Sequence, residues 1–312
     1  MQFTTPPPPI DILQVEPRLR EFAKTAIRLH PRRGDVPDPA ASKIGGLFLW
    51  PESEPWPSVP NPGEPDWYEG AGWPLEDAEV PLMPLVQLRA DEFPEVEFPA
   101  GKNLLQLFWC PVHHSAPIFV AKPYLFWRSC AEVAVPRSQP PSLPEWNSMN
   151  MFAVQPCQIS PERVPEYISS SELSGLSREG DPVGKEIWRT ILDWKGEYRV
   201  TDNGQPVDDN TLSGCSYYQQ LLSTCLGTKV QGYADWIQFS HWPIVCQCGA
   251  RMEHLLSIST GEWNCINFPR WRPLQSFETG VKPISDDLPG GCLYVFICRH
   301  CPDWPIKSVY ER

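Results

Sequence analysis

The chain has no apolar run approaching the ~20 continuous residues that a membrane-spanning helix needs. Nor does it open on an apolar stretch of signal-peptide type, because residues 1–9 are polar and proline-rich. The expectation is a cytoplasmic protein whose 11 cysteines are reduced. Basic runs are missing as well. With 26 Lys and Arg against 38 Asp and Glu, the net charge is −12, and the basic face of a nucleic-acid binder is absent. An acidic surface suits a basic protein partner; it also serves solubility alone.

Catalytic signatures are equally absent. No Gly-x-Ser-x-Gly and no His-Glu-x-x-His occurs. Gly45-Gly46 follows Lys43, but neither phosphate-loop spacing is present, and Leu47 to Trp50 read as strand or core. These glycines point to positive φ or close backbone approach. Only six histidines are present, and none marks an adjacent thiol as an activated nucleophile. The chain is therefore expected to be a non-enzyme. Carboxylates fall in loops such as 52–54, 66–69, 76–79 and 91–97, which read as solvated surface or as an acidic docking face.

Proline and tryptophan are abundant, at 38 and 14. Proline at that density interrupts helices and sheets, while indole rings fill cores made of irregular segments. Many short strands, long loops and few helices follow.

The sharpest chemistry lies in Cys246-Gln-Cys248 and Cys298-Arg-His-Cys301. Two close thiol pairs, each presented by one turn, are how a chain builds a tetrahedral thiolate site for structural zinc. The alternative is two reduced pairs buried in a strand core. A closed all-thiolate site stabilises a fold and leaves no open position for substrate.

An internal repeat organises the chain. Lys43-Ile-Gly-Gly-Leu-Phe-Leu-Trp50 aligns with Lys229-Val-Gln-Gly-Tyr-Ala-Asp-Trp236 at an offset of 229 − 43 = 186, and Trp56-Pro57 then falls on Trp242-Pro243. Leu85–Leu88 resembles Leu255–Ile258. At an offset of 188, Phe108, Cys110 and His113 pair with Phe296, Cys298 and Cys301. The first half thus keeps Cys110, His113 and neighbouring His114, but has no counterpart of Cys246 and Cys248. Those three are either a partial metal site or a strand-end thiol beside surface histidines.

Apolar spacing predicts a helix over Pro17–Leu29 and another over 210–226, one before each copy. Strands are expected at 85–89, 104–109, 118–121, 124–127, 151–154, 255–258 and 293–298. Thr4–Pro9 reads as extended chain without a fixed place in the core, and Ser169–Gly180 as exposed surface. The fold class is α+β: two related halves of short antiparallel strands, each preceded by a helix, with long Pro-rich loops. The halves span 1–160 and 210–312, joined by a bridging segment at 161–209.

Ser42-Lys43-Ile44-Gly45-Gly46-Leu47, Trp56-Pro57, Pro84–Leu88 and Leu104–Phe108 together resemble the bacterial YwqG family, over about residues 40 to 310. That resemblance implies a cytoplasmic α+β protein with duplicated halves, of a kind recurring as immunity proteins beside bacterial toxins. The second half, through Lys229–Trp236, Cys246-Gln-Cys248-Gly249 and Cys298-x2-Cys301, is similar to the C-terminal domain of the eukaryotic programmed-cell-death-protein-2 family, whose members are chaperones for a basic ribosomal protein. Gln231 replaces the first glycine of the pair there. The resemblances imply a protein that binds and occludes a basic toxin domain, with a chaperone-like holder of a basic client or a zinc-dependent enzyme as alternatives. Exposed aromatics of the Pro/Trp-rich loop, Trp67, Tyr68 and Trp73, are the candidate partner contacts; core packing is their other reading.

Overall fold

The computed structural model describes residues 3–33, 38–63, 77–112, 114, 121–139, 152–202, 205–238, 242–263, 269–275 and 291–311, and the backbone alone over 200–210. The chain divides into two units. One comprises residues 1–30, 160–280 and 291–312, the other 31–159 and 281–290. This differs from the division at 160 and 210. Residues 1–30 and 161–209 belong with the C-terminal half, because strand β1 (Lys24–Arg28) pairs antiparallel with both β9 (Glu162–Glu166) and β12 (Lys229–Gln231). Backbone ladders, rather than sequence proximity, decide membership.

The fold is α+β. In the first unit β12, β13 (Glu253–Ser259), β14 (Cys292–Ile297) and β15 (Ile306–Glu311) complete a six-stranded sheet of order β15-β14-β13-β12-β1-β9. Every ladder is antiparallel. All six residues of β14 are buried, as suits a run of β-branched and aromatic residues between two partners.

The second unit contains β2 (Lys43–Ile44), β5 (Met83–Arg89), β6 (Leu104–Cys110), β7 (Lys122–Arg128) and β8 (Cys157–Gln158), in the order β7-β6-β5-β2-β8. A small hairpin joins β3 (Ser58–Pro60) to β4 (Glu79–Pro81). The two orders match strand for strand over four positions, β15-β14-β13-β12 against β7-β6-β5-β2; the fifth strand precedes the others in the first unit (β1) and follows them in the second (β8). Register matches as well: Lys43 faces Gln87 and Lys229 faces Ser257. Each sheet breaks register at the same point, between Pro84 and Val86 in one and between His254 and Leu256 in the other.

The expected leading helix over 17–29 is replaced by a short 3-10 turn at Pro17–Phe22, followed directly by β1. Pairing on both sides of β1 outweighs its helical spacing. The helix expected over 210–226 is shorter too. β11 (Gln205–Ser213) pairs with β10 (Glu197–Asp202), and only then come α3 (Gly214–Tyr217) and a π-helical turn to Ser223. The segment expected to be exposed at 169–180 forms α1 (Ser170–Arg178), capped by Ser169 Oγ accepting from the Glu172 amide at 3.1 Å. α1 buries Leu173 and Leu176 in one core with Ile187 and Ile191 of α2 (Pro182–Asp193). That burial is why it is not a surface linker.

Thr4–Pro9 also has a fixed place at its start. The Thr5 amide and Oγ1 both donate to the Glu162 carboxylate, at 2.5 and 2.7 Å. The expected strands at 85–89, 104–109, 124–127, 255–258 and 293–298 are present within β5, β6, β7, β13 and β14. Residues 118–120 and 151 lie outside the described residues, and the strand expected at 151–154 does not form: residues 152–154 carry a turn and a single-residue bridge.

Candidate metal centre

Two turns carry the four cysteines. In the first, residues 244–252 fold back on themselves: Met252 N donates to Ile244 O at 2.8 Å, Cys246 N to Ala250 O at 2.9 Å, and Gly249 N to Cys246 O at 3.0 Å. Gly249 closes the turn at φ +87°, a conformation that glycine adopts without strain. The turn directs Cys246 inward and leaves Cys248 exposed.

The second turn links β14 to β15. Cys298 N donates to Pro305 O at 3.0 Å and Trp304 N to Cys301 O at 3.1 Å. Arg299 braces it, pairing with Glu253 at 3.1 Å while its guanidinium sits 4.5 Å from the Trp304 ring centre. Cys298 is fully buried and Cys301 half-buried.

All four Sγ atoms lie within 4.8 Å of one another. Cys246 and Cys301 are 3.7 Å apart, Cys248 and Cys298 3.6 Å, and Cys298 and Cys301 3.9 Å. A tetrahedral metal–thiolate site with bonds of about 2.3 Å has edges of roughly 3.8 Å. These separations fit that figure and are far from the roughly 2.05 Å of a disulfide. The four cysteines can therefore bind a metal ion. Without a cation the cluster disfavours ionisation: Cys248, burial, and then Cys246 and Cys298 raise Cys301. A bound cation inverts that balance and stabilises the thiolates.

Behind the thiols lies an apolar floor of Trp236, Met252, Tyr294 and Phe296. Trp236 stacks on Phe296 with ring centres 5.7 Å apart and planes at 13°. The second unit builds the same floor from Trp50, Phe108 and Cys110, with Trp56 and Phe126 against it. There Phe108 meets Trp50 and Trp56 at 5.6 Å and Phe126 at 5.5 Å, all edge-on. Aromatic packing closes one site where thiols close the other.

Among the described residues, no cluster of candidate metal ligands includes Cys110 or His114. Cys110 is buried within the aromatic cluster, and burial pushes its thiol up to about 12. His113 lies outside the described residues, as do Trp67, Tyr68 and Trp73.

A buried polar network went unread in the sequence. Glu166 accepts from Lys229 Nζ at 2.5 Å, Cys225 N at 2.6 Å and Tyr233 N at 2.8 Å. Nearby Asp235 accepts from Thr224 Oγ1 at 2.9 Å, and burial raises its carboxyl to about 7. His254, lowered by burial, bonds Gln231 O and Ser257 Oγ. Lys229 was visible as a repeat position, but its partner Glu166 lies 63 residues away. The glycine reading of residues 45–46 agrees with the structure, where φ is +61° and +70°. In the second copy Gln231 adopts the same left-handed conformation at +59°.

No helix of the described residues is long and apolar enough to cross a membrane. Comparison of the chain with family models and with curated proteins gives no match.

Proposed function

We propose that the chain is a cytoplasmic, non-enzymatic binding protein whose C-terminal sheet is stapled by a structural zinc ion, and that it acts as an immunity protein occluding a basic toxin domain. The four-thiolate set carries this reading. Cys246, Cys248, Cys298 and Cys301 lie close enough together to serve as all four ligands of a tetrahedral ion, so a zinc ion held there would have no position left for substrate. Zinc suits four soft thiolates in tetrahedral array, and it brings no redox chemistry of its own. The Lys229–Glu166 pair is fully buried.

Occlusion needs a rigid, complementary surface rather than reacting groups. The net charge of −12 suits a cationic partner, and the YwqG-like motifs over Ser42–Leu47 and Pro84–Leu88 support the assignment to immunity. The matched sheet orders support a duplicated module in which only the later copy keeps the metal clamp.

Two measurements test the reading. Elemental analysis of the purified chain is expected to return zinc at one ion per molecule. Co-expression with the product of a neighbouring toxin gene is expected to yield a stoichiometric complex lacking toxin activity. Absence of any complex overturns the immunity role, and recovery of one basic ribosomal protein from lysate in its place assigns a client-holding role.

A further inference from the structure

We infer that Cys248 is a peroxide-reactive modification site that turns the metal clamp into a disulfide clamp, with Cys298 as the resolving thiol. The inference deepens the metal reading above and rests on it. Cys248 is the one exposed cysteine among the described residues, whereas Cys246 and Cys298 are buried and Cys301 is half-buried. Its neighbour Gly249 leaves the approach open: no heavy atom lies within 4 Å of where a Cβ would stand. Cys248 is therefore the sulfur of the cluster most open to a small neutral oxidant.

Three features favour reaction there. A metal-held cysteine is a thiolate, the form that attacks oxidants. Cys110, Cys225 and Cys292, buried elsewhere, are held as thiols, since burial pushes Cys110 up to about 12 and raises the other two as well. And Cys298 Sγ waits 3.6 Å from Cys248 Sγ, so a small closure forms the bond.

The chemistry balances with hydrogen peroxide as the named oxidant. The Cys248 thiolate attacks the O–O bond; an S–O bond forms, O–O breaks, and hydroxide leaves and is protonated to water. Cys248 is oxidised by two electrons to a sulfenic acid. The Cys298 thiolate then attacks that sulfur; S–S forms, S–O breaks, and the oxygen departs as a second water. One peroxide and two protons are consumed per disulfide. The ion, left with two thiolates, dissociates. Cys246 and Cys301, 3.7 Å apart, can close likewise with a second peroxide. Both bonds join the same two turns the metal joined.

The test uses the full-length, metal-loaded chain and hydrogen peroxide. Metal release is followed with a chromogenic chelator, and thiol pairing by peptide mapping. The expected first product is a Cys248–Cys298 disulfide appearing together with released metal. Sulfenic acid trapped with dimedone is expected at Cys248 ahead of the other three cluster cysteines, while Cys215→Ser, a half-buried thiol outside the cluster, leaves metal release unchanged. Trapping first at Cys246, Cys298 or Cys301, or oxidation falling first on Cys130 or Cys215 with metal retained, overturns the inference. A chain purified without metal instead defeats the metal reading, and mapping then still shows whether Cys248 and Cys298 pair.

Discussion

Lys229 and Glu166 form an ion pair of 2.5 Å in which neither side chain has any solvent exposure. Lys43, its counterpart in the other sheet, is equally buried, yet its Nζ donates to a backbone carbonyl, that of Asp38, at 2.6 Å. One repeat position thus carries a lysine in two electrostatic settings. Burial lowers both amines, but Cys225 and Glu166 outweigh it at Lys229, which is raised, while Lys43 is pulled down to about 8 in spite of Asp38. Lys229→Met strands the Glu166 carboxylate in the core and is expected to cost about 3–5 kcal/mol by urea unfolding. Lys43→Met removes a single neutral acceptor contact and is expected to cost about 1 kcal/mol or less.

The same contrast sets a pH dependence. An unfolded lysine holds its proton up to 10.5, whereas folded Lys43 releases it near 8. The unfolded chain binds more protons in that window, so the Lys43 contribution rises from about pH 8 to 10.5 and is lost as pH falls. Lys229 acts oppositely: its contribution is present below 10.5 and is lost at higher pH. Stability measured across pH 8–10 is expected to lose its rising component in Lys43→Met.

At the N-terminus, His30 Nε2 lies 2.7 Å from the Glu162 carboxylate that holds Thr5, and Phe3 stacks on the imidazole with ring centres 5.1 Å apart. Burial lowers His30 below 6.5; Glu162 is also lowered, its burial outweighed by bonds from His30 and Thr5. Each group favours the deprotonated form in the folded state. Their contribution is therefore full above pH 6.5 and is lost on acidification, first through His30 and then, below 4.5, through Glu162. Amide exchange of residues 3–5 is expected to accelerate between pH 6.5 and 5, and His30→Gln to flatten that change.

Cys298→Ser removes the most buried ligand of the cluster. Zinc content is expected to fall to near zero, and stability by at least about 2 kcal/mol, as for loss of a structural metal ligand. Chelation of the wild-type chain should produce a comparable loss. Unchanged melting together with unchanged metal content in the variant would contradict the clamp.

Gly232 and Gly249 share a left-handed backbone, at φ +72° and +87°, but not their surroundings. A Cβ at Gly232 would stand 2.1 Å from Glu166 Oε2 and 2.8 Å from the Ala26 Cβ, while one at Gly249 meets nothing within 4 Å. Gly249→Ala is expected to cost about 1 kcal/mol of backbone strain. Gly232→Ala adds displacement of a buried carboxylate and should cost about 3 kcal/mol or more. Thermal denaturation of the two variants separates strain from collision.

Local readings succeeded where a signal was short-range. Strands β5, β6, β13 and β14 stand out as short apolar runs, and the left-handed turn follows from Gly45-Gly46. Paired turns of Cys246-x-Cys248 and Cys298-x2-Cys301 announced a cluster through spacing alone. Readings failed where a distant partner outvoted a local preference. Residues 24–28 have helical apolar spacing, yet become a strand because β9 and β12 hydrogen-bond both their edges. Residues 170–178 look polar, yet bury Leu173 and Leu176 because α2 supplies a matching face.

Composition and spacing were enough to establish an α+β chain and four thiols in two turns, since each follows from residue types a few positions apart. Tertiary structure alone decided that the first thirty residues join the C-terminal sheet, that Glu166 neutralises Lys229, and that Cys110 lies among aromatic rings while its counterpart Cys298 faces three other sulfurs. Those outcomes depend on contacts between segments tens to hundreds of residues apart, whose energies of burial and pairing no local pattern encodes.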